Sequence, residues 1–325
     1  MIEPPTSQAD ARDDDVTGEQ AITDGEPRAD DDAAIATADG LVLVSTPIGN
    51  LGDVTARALA ALRAADLVLC EDTRVTARLL AAHGIATSTS PLHEFNEEGR
   101  IPGLLEALRA GRRIALVSDA GTPLVSDPGY RLVRAALAAG LPVTAVPGPN
   151  AAVLALVLSG LPPQPFLFLG FPPPRSAARR AAFGRLRAAE RAGLSATLIW
   201  HEAPHRLAET LVDLAAAFGD RPAAVARELT KRFEEVRREG LTALSAHYAA
   251  HPARGEITLL IGPAPEEALD AEDLDGQLRA ALATNTVKDA AALVAGSIGL
   301  PRRLVYARAL DLSRAAPPDG DGDGS

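Results

Sequence analysis

Residues His201-Glu202-Ala203-Pro204-His205 spell H-E-x-x-H. On one helix, that spacing sets two imidazoles on a single face to hold zinc, with the glutamate as general base. The flanking residues argue for another arrangement. Ala196, Thr197, Leu198, Ile199 and Trp200 read as a buried strand. Pro204 suits a first helical turn but not a helix interior. A helix is therefore expected to begin near Pro204 and to run through His205, Leu207, Leu211 and Leu214. His201 and Glu202 are then left at a strand end, and a third ligand at a recognisable spacing is missing. The expectation is a polar strand-to-helix corner and no metal.

Other chemically capable residues gather in short runs that each follow an apolar strand-like segment. These runs are TPIGNLGD (46–53), CEDTR (70–74), DAGTPLVSDPG (119–129), PGPN (147–150), HEAPHR (201–206) and RELTK (227–231). In open parallel sheets ligands bind beyond the carboxyl ends of the strands. Turns need Gly, Pro and Asp for their own sake, which accounts for one or two of these loops. It accounts less well for DAGTPLVSDPG, eleven residues with two each of Asp, Gly and Pro. No G-x-G-x-x-G follows the first strand, and neither a P-loop nor a G-x-S-x-G elbow occurs. Ordinary dinucleotide binding, P-loop hydrolysis and serine-elbow chemistry are disfavoured.

The elements that would position these loops alternate. Strands are expected at 40–46, 66–70, 112–118 and in LPVTAV. Helices are expected in DVTARALAALRAA, TARLLAAHG, PGLLEALRAG, DPGYRLVRAALAAG and PNAAVLALVLSGL. This order predicts an α/β fold with a mainly parallel sheet. After LPPQP (161–165) a second α/β stretch follows, with strands at 166–171, 196–200, 221–231 and 255–262 and a basic helix in RSAARRAAFGRLRAAERAG. PAPEEALDAEDLDG reads as an acidic linker. VKDAAALVAGSIGLPRRLVYARAL has the outline of a helix-turn-helix with Gly299 and Pro301 at its turn. The expected organisation is an extension over 1–39, α/β domains over 40–160 and 161–263, a linker over 264–276, a helical domain over 277–314 and a tail over 315–325.

The chain of 325 residues, 47% hydrophobic, suffices for about two domains of ~150 residues. Its net charge of −11 is unevenly spread. Residues 1–39 hold 12 acids and 2 arginines, and PPDGDGDGS adds three aspartates. The body between is near +2, so overall acidity does not exclude an RNA substrate. The extension lacks aromatics and apolar periodicity and is expected to be disordered. No apolar run is long enough for a bilayer span, no secretory signal opens the chain, and the single Cys70 fits a reducing cytoplasm.

STPIGNLGDVTARAL, CEDTRVTARLL, LHEFNE, ALVSDAGTPLVSDPGYRLV, VPGPNAAVLAL, HEAPHR and ARELTK, in this order, closely resemble the ribosomal RNA small subunit methyltransferase I family. That family belongs to the tetrapyrrole-methylase superfamily and methylates a cytidine ribose at its 2′ hydroxyl. The resemblance spans about residues 40–314. Porphyrin methylases carry a G-x-G-x-G-like first loop where this chain has TPIGN. The family corner usually has Tyr and Ser where this chain has His201 and Ala203, and neither residue is given a catalytic role. The resemblance implies two α/β domains with S-adenosylmethionine in the cleft between them, a small C-terminal helix-turn-helix-like domain and a homodimer. It implies cofactor contacts from Pro47, Asp119, Ala120, Gly121, Thr122, Val125, Asn150, Ala151, Glu202 and Leu229, with Trp200–Arg206 as a cleft wall. The implied partner is 16S rRNA in the small ribosomal subunit, with neither DNA nor membrane.

Methylating a hydroxyl requires alignment of three atoms and removal of a proton by a positioned base. The candidate bases are Glu71, Asp72, Asp119, Glu202, His205 and Lys231, with Asp72 and Glu202 ranked first. RNA contact is expected from Arg179, Arg180, Arg187, Lys231, Arg302 and Arg303. Six arginines against one acid fall within Arg175–Arg191, where a solvated helix face would be the ordinary reading. Aromatics make up 3% of the chain, so base stacking is not evident. Two rivals stay open: a small-molecule tetrapyrrole methylase, and a non-catalytic RNA-binding module.

Overall fold

The computed structural model describes residues 39–265, 271–298, 300 and 302–315. The expected acidic extension (but for Asp39), Gly299, Pro301 and residues 316–325 of the tail lie outside the described residues.

Five strands form an all-parallel sheet in the order β3-β2-β4-β1-β5. They are β1 (Gly40–Val44), β2 (Leu67–Cys70), β3 (Thr89–Pro91), β4 (Arg113–Val117) and β5 (Val143–Val146). Strands covered on both faces must be apolar throughout. Val42, Val44, Val68, Ala115 and Val117 pack towards α1 (Ala56–Ala64) and α2 (Thr73–Ala82). Leu41, Leu69, Ile114 and Leu116 pack towards α3 (Glu97–Arg109) and α4 (Tyr130–Ala138). The short edge strand β3 was not among the expected elements, because Thr-Ser-Pro offers no alternation to read. Thr55 caps α1 by accepting from the Ala58 N–H, and Asp72 caps α2 by accepting from that of Arg74.

A second five-stranded sheet has the order β6-β7-β10-β8-β9. Its strands are β6 (Phe166–Phe168), β7 (Thr197–Glu202), β8 (Pro222–Arg227), β9 (Glu235–Gly240) and β10 (Ile257–Ile261). Here the expectation of a mainly parallel sheet fails, since only β6 and β7 run parallel. A short connection joins β8 to β9 as an antiparallel pair, and β10 returns between β7 and β8. The strand expected to reach residue 231 stops at Arg227, where Glu228 and Thr230 adopt φ of 51° and 65°.

Helices α6 (Ser176–Arg191), α7 (Leu207–Phe218) and α8 (Leu241–Ala250) cover one face of this sheet. Helix α7 begins three residues after Pro204. The other face receives α5 (Ala151–Ser159), the helix that leaves the first sheet. Ala152, Ala155 and Leu156 of α5 pack with Ile48 on Ile199, Ala224, Ala226 and Leu260. The Arg238 guanidinium donates back to the Leu158 carbonyl at 2.8 Å. The two sheets are thus held through one shared helix.

Helices α9 (Ala271–Leu282), α10 (Val287–Ile298) and α11 (Arg302–Ala315) form a separate core around Leu278, Ala291, Val294, Val305 and Ala309. Arg308 ties α11 to Asp275 of α9 at 2.6 Å. Helix α9 starts inside the stretch expected to be linker.

Charge also builds the second lobe. Arg179 is 1% exposed and binds Asp213 of α7 at 2.7 Å, while Arg221 binds Glu190 of α6 at 2.7 Å. Removing one member of a buried pair leaves an unpaired charge that costs about 3–5 kcal/mol. Asp213→Asn is therefore expected to lower unfolding stability in urea by about that amount, while Arg180→Ala on the adjacent exposed position changes it by less than about 0.5 kcal/mol.

Candidate active site

The carboxyl end of the first sheet and the carboxyl ends of β7 and β8 in the second open onto one cavity of about 370 Å³. On the first-lobe side, three loops are stitched together. Thr46 and Gly121 exchange backbone hydrogen bonds of 2.8 and 3.1 Å. Ser118 Oγ donates to the Gly121 carbonyl at 3.1 Å, and Thr122 Oγ1 donates to that of Pro149 at 3.3 Å. Gly121 sits at φ 81°, and a Cβ there would come within 3.3 Å of Ile48 Cγ2. Only glycine holds this turn without strain while leaving main chain open to a ligand.

The second-lobe wall follows from strand alternation. Trp200 and Glu202 of β7 face the helices: Trp200 meets Phe183 of α6 edge to face, and Glu202 meets α7. His201 faces the cavity. In register it pairs with Thr258 of β10, which pairs in turn with Ala226 of β8, and all three line the wall. Thr258 Oγ1 lies 3.3 Å from His201 Nδ1, and Phe168 packs edge-on against the imidazole. Burial pushes the His201 pKa down, which favours the neutral ring.

Nine of the ten expected cofactor contacts line this cavity: Asp119, Ala120, Gly121, Thr122, Val125, Asn150, Ala151, Glu202 and Leu229. Pro47 does not. It is buried, and its neighbour Ile48 takes the lining position.

The two ranked bases are engaged elsewhere. The Glu202 side chain is 0% exposed, so the residue borders the cavity through its main chain. Its carboxylate accepts from Arg206 at 2.6 Å, from the Ala203 N–H at 2.7 Å and from Thr210 Oγ1 at 2.5 Å. The expectation that Glu202 performs chemistry is corrected to a brace for the corner. Asp72 does not line the cavity and caps α2. Hydrogen bonds from Arg74 pull its pKa down to about 2, too low for an effective base near neutral pH.

Two of the expected RNA contacts are likewise internal. Arg179 is the buried partner of Asp213, and Arg187, 18% exposed, is bound to Glu190. Lys231 is neutralised by Glu228 at 2.9 Å and Glu256 at 2.6 Å. Arg180 (62% exposed), Arg302 and Arg303 do face solvent.

The sequence reading missed Gly255, Glu256, Ile257 and Thr258, because they lie just before and at the start of β10 rather than at the end of a strand. It also missed Ser126, Asp127 and Phe171. Desolvation first, then the charges of Glu71 and Asp119, push the Asp127 pKa up to about 6. Two carboxylates in one eleven-residue loop were the available signal. Among the described residues no group of three His, Cys, Asp or Glu is placed to share a metal ion.

The fold and site together are a parallel sheet and a mixed sheet that face each other across one cavity walled by glycine-bearing loops. Residues 40–245 match the Tetrapyrrole (Corrin/Porphyrin) Methylases, and the chain belongs to that family. Residues 267–313 match the RsmI C-terminal HTH domain. The chain is 46% identical to Ribosomal RNA small subunit methyltransferase I of Mesorhizobium japonicum over 286 residues, 87% of this chain and 95% of that one. It is 44% identical to the protein of the same name from Pseudomonas aeruginosa, covering 83% and 96%. Among solved structures, diphthine synthase superposes with TM-score 0.53 at 16% identity, covering 68% of this chain and 90% of that one. The methyltransferase CobJ gives 0.52 at 22%, covering 70% and 95%. At those identities the likeness is one of fold.

Glu202→Gln removes a buried charge that Arg206 depends on. The expected outcome is a stability loss on the order of 3 kcal/mol with ligand affinity at the cavity kept within threefold at a temperature where the variant is folded. Loss of that affinity without loss of stability contradicts the bracing role.

Proposed function

We propose that the protein transfers a methyl group from S-adenosylmethionine to the 2′ hydroxyl of a cytidine in the 16S RNA of the small ribosomal subunit, acting as a cytoplasmic homodimer. The observation that carries this reading is the lined cavity between the two sheets, in a chain that matches proteins named Ribosomal RNA small subunit methyltransferase I along most of their length.

The residues present suit such a donor. The cavity falls in the range of small-molecule sites, ~300–1,000 Å³, and the turn at Gly121 forms a cradle that a Cβ would crowd. Asp119 and Asp127 on its rim favour a cationic ligand. Bound there, S-adenosylmethionine supplies an electrophilic methyl on a positively charged sulfur. Gly121 and Thr122 would hold it from one wall, and His201, Thr258 and Ala226 from the other. Neutral His201 adds no repelling charge opposite a sulfonium. Alignment of acceptor and methyl is the largest task, worth up to ~7–11 kcal/mol when the geometry is ideal.

RNA contact falls to those of the expected arginines that face solvent. Arg302 and Arg303 open α11, and Arg180 lies on α6. Phe171, half exposed on the cavity rim against His201, adds one aromatic surface for a base. The homodimer reading draws on apolar side chains left at the surface: Val153 and Val157 of α5, and Phe166 and Leu167 of the edge strand β6. Among the described residues no helix is long and apolar enough to cross a membrane.

The test is transfer of tritiated methyl from the donor to small subunits lacking the modification, with naked RNA and a porphyrin as parallel acceptors. Label is expected in the subunit as 2′-O-methylcytidine after nuclease digestion. Label in the porphyrin, or in none of the three, contradicts the assignment. Replacing Arg302 and Arg303 by alanine is expected to leave donor affinity unchanged and to weaken subunit binding. The slope of log affinity against log salt should fall by about 1.4–1.8 for two lost phosphate contacts.

A further inference from the structure

Once Asp72 and Glu202 are spent on structure, the acceptors left at the cavity are His201, Asp119, Glu256 and Asp127, and His201 is engaged through Nδ1 with Thr258 Oγ1 at 3.3 Å. Glu256 borders the cavity but is tied to Lys231, and Asp119 Oδ1 accepts from the Asp72 N–H at 3.0 Å. Asp127 is different. It lines the cavity, is partly buried, and its carboxylate enters no hydrogen bond or ion pair among the described residues.

The backbone that presents it is held in a costly shape. Leu124 and Ser126 both sit at φ 70°, a region that costs a non-glycine residue free energy. A Cβ on Gly129, at φ 117°, would come within 2.5 Å of Leu116 Cδ2. Such strain persists where the surroundings enforce it, and it clusters at functional sites. The loop is therefore built to aim a short segment containing Asp127 at the cavity, not merely to join β4 to α4.

We propose that Asp127 is the general base of the reaction, accepting the proton of the ribose hydroxyl; this rests on the ribose-methylation reading above. In the step, the hydroxyl O–H bond breaks and its proton passes to a carboxylate oxygen of Asp127. The oxygen forms the new bond to the methyl carbon, and the methyl–sulfur bond breaks with its electron pair leaving on sulfur. Asp127 then releases the proton to water. The titratable groups around it and the cavity are Glu71, Asp119, His201, Glu202 and Glu256. Burial of the carboxylate raises its proton affinity most, and the charges of Glu71 and Asp119 act in the same direction. A base that titrates near working pH combines availability with strength.

The test compares wild type and Asp127→Asn on whole small subunits. In single turnover the variant is expected to lose 10²–10⁴-fold in rate, with donor affinity by calorimetry within threefold of wild type. Wild-type rate should fall as pH drops through about 6, and the variant's residual rate should lack that limb. A readout independent of activity follows from linkage. A carboxyl pKa raised from 3.8 to about 6 makes the folded protein lose stability as pH rises through that window. The melting temperature of Asp127→Asn minus that of wild type should therefore grow from pH 4 to pH 7. Carbon-13 NMR of wild type should also show this carboxyl titrating near 6, which keeps the proposal testable if the variant fails to fold.

A variant rate within threefold of wild type overturns the base assignment. So does a loss confined to donor affinity, or an Asp127 titration in the ordinary carboxylate range. Absence of methylation by wild type instead overturns the underlying reading, while the titration still reports on Asp127.

Discussion

The burial of α5 against the second sheet is the constraint on which the site depends. Helix α5 leaves the first sheet through Asn150, which caps it by accepting from the Val153 N–H at 3.1 Å. Its small residues Ala152 and Ala155 let it lie close to Ile199, Ala224 and Leu260. That packing turns the carboxyl end of the first sheet towards the edge of the second where β7 and β8 end and β10 begins. Without it, the Gly121 turn and the β7–β10–β8 wall would be two unrelated surfaces.

Much of this was legible in the sequence. Continuous apolar runs gave the parallel strands, the polar runs after them marked the cavity end of the sheet, and the family resemblance named ten contacts of which nine line the cavity. The second sheet was harder. A buried antiparallel strand such as ITLLI reads the same as a parallel one, so direction was invisible. The ligand rule for parallel sheets still found HEAPHR and RELTK, because β7 and β8 run in the same direction on either side of the reversed β10. The same reversal hid Gly255–Thr258, which enter the cavity from a strand's beginning.

The misassigned Glu202 has a simple physical origin. In ATLIWHE, Trp200 packs on helix α6, and residues two apart on a strand share a face. Glu202 must then face the helices, and His201 the cavity. Resemblance placed the corner in the site, and alternation decides which of its side chains enters. The basic helix carries a parallel lesson. Its arginines looked like one RNA-facing cluster, yet Arg179 and Arg187 serve internal carboxylates. Charge counts along a helix do not separate ion pairs that assemble a lobe from cations left for a partner, because the pairing acids Asp213 and Glu190 are found only once the helices pack.

The long loop shows the opposite balance. Its strain at Leu124 and Ser126, its glycines and its unpaired Asp127 all weaken the fold locally. Ser126, Asp127 and Gly121 line the cavity, and that position is what makes the weakness intelligible as function.

The central claim is that both lobes hold one donor between them. A crystal structure of the protein with S-adenosylhomocysteine tests it most directly. The account predicts the ligand in contact with the Gly121–Thr122 turn on one side and with His201, Thr258 or Leu229 on the other. A ligand bound to one lobe alone, or outside this cavity, would contradict it.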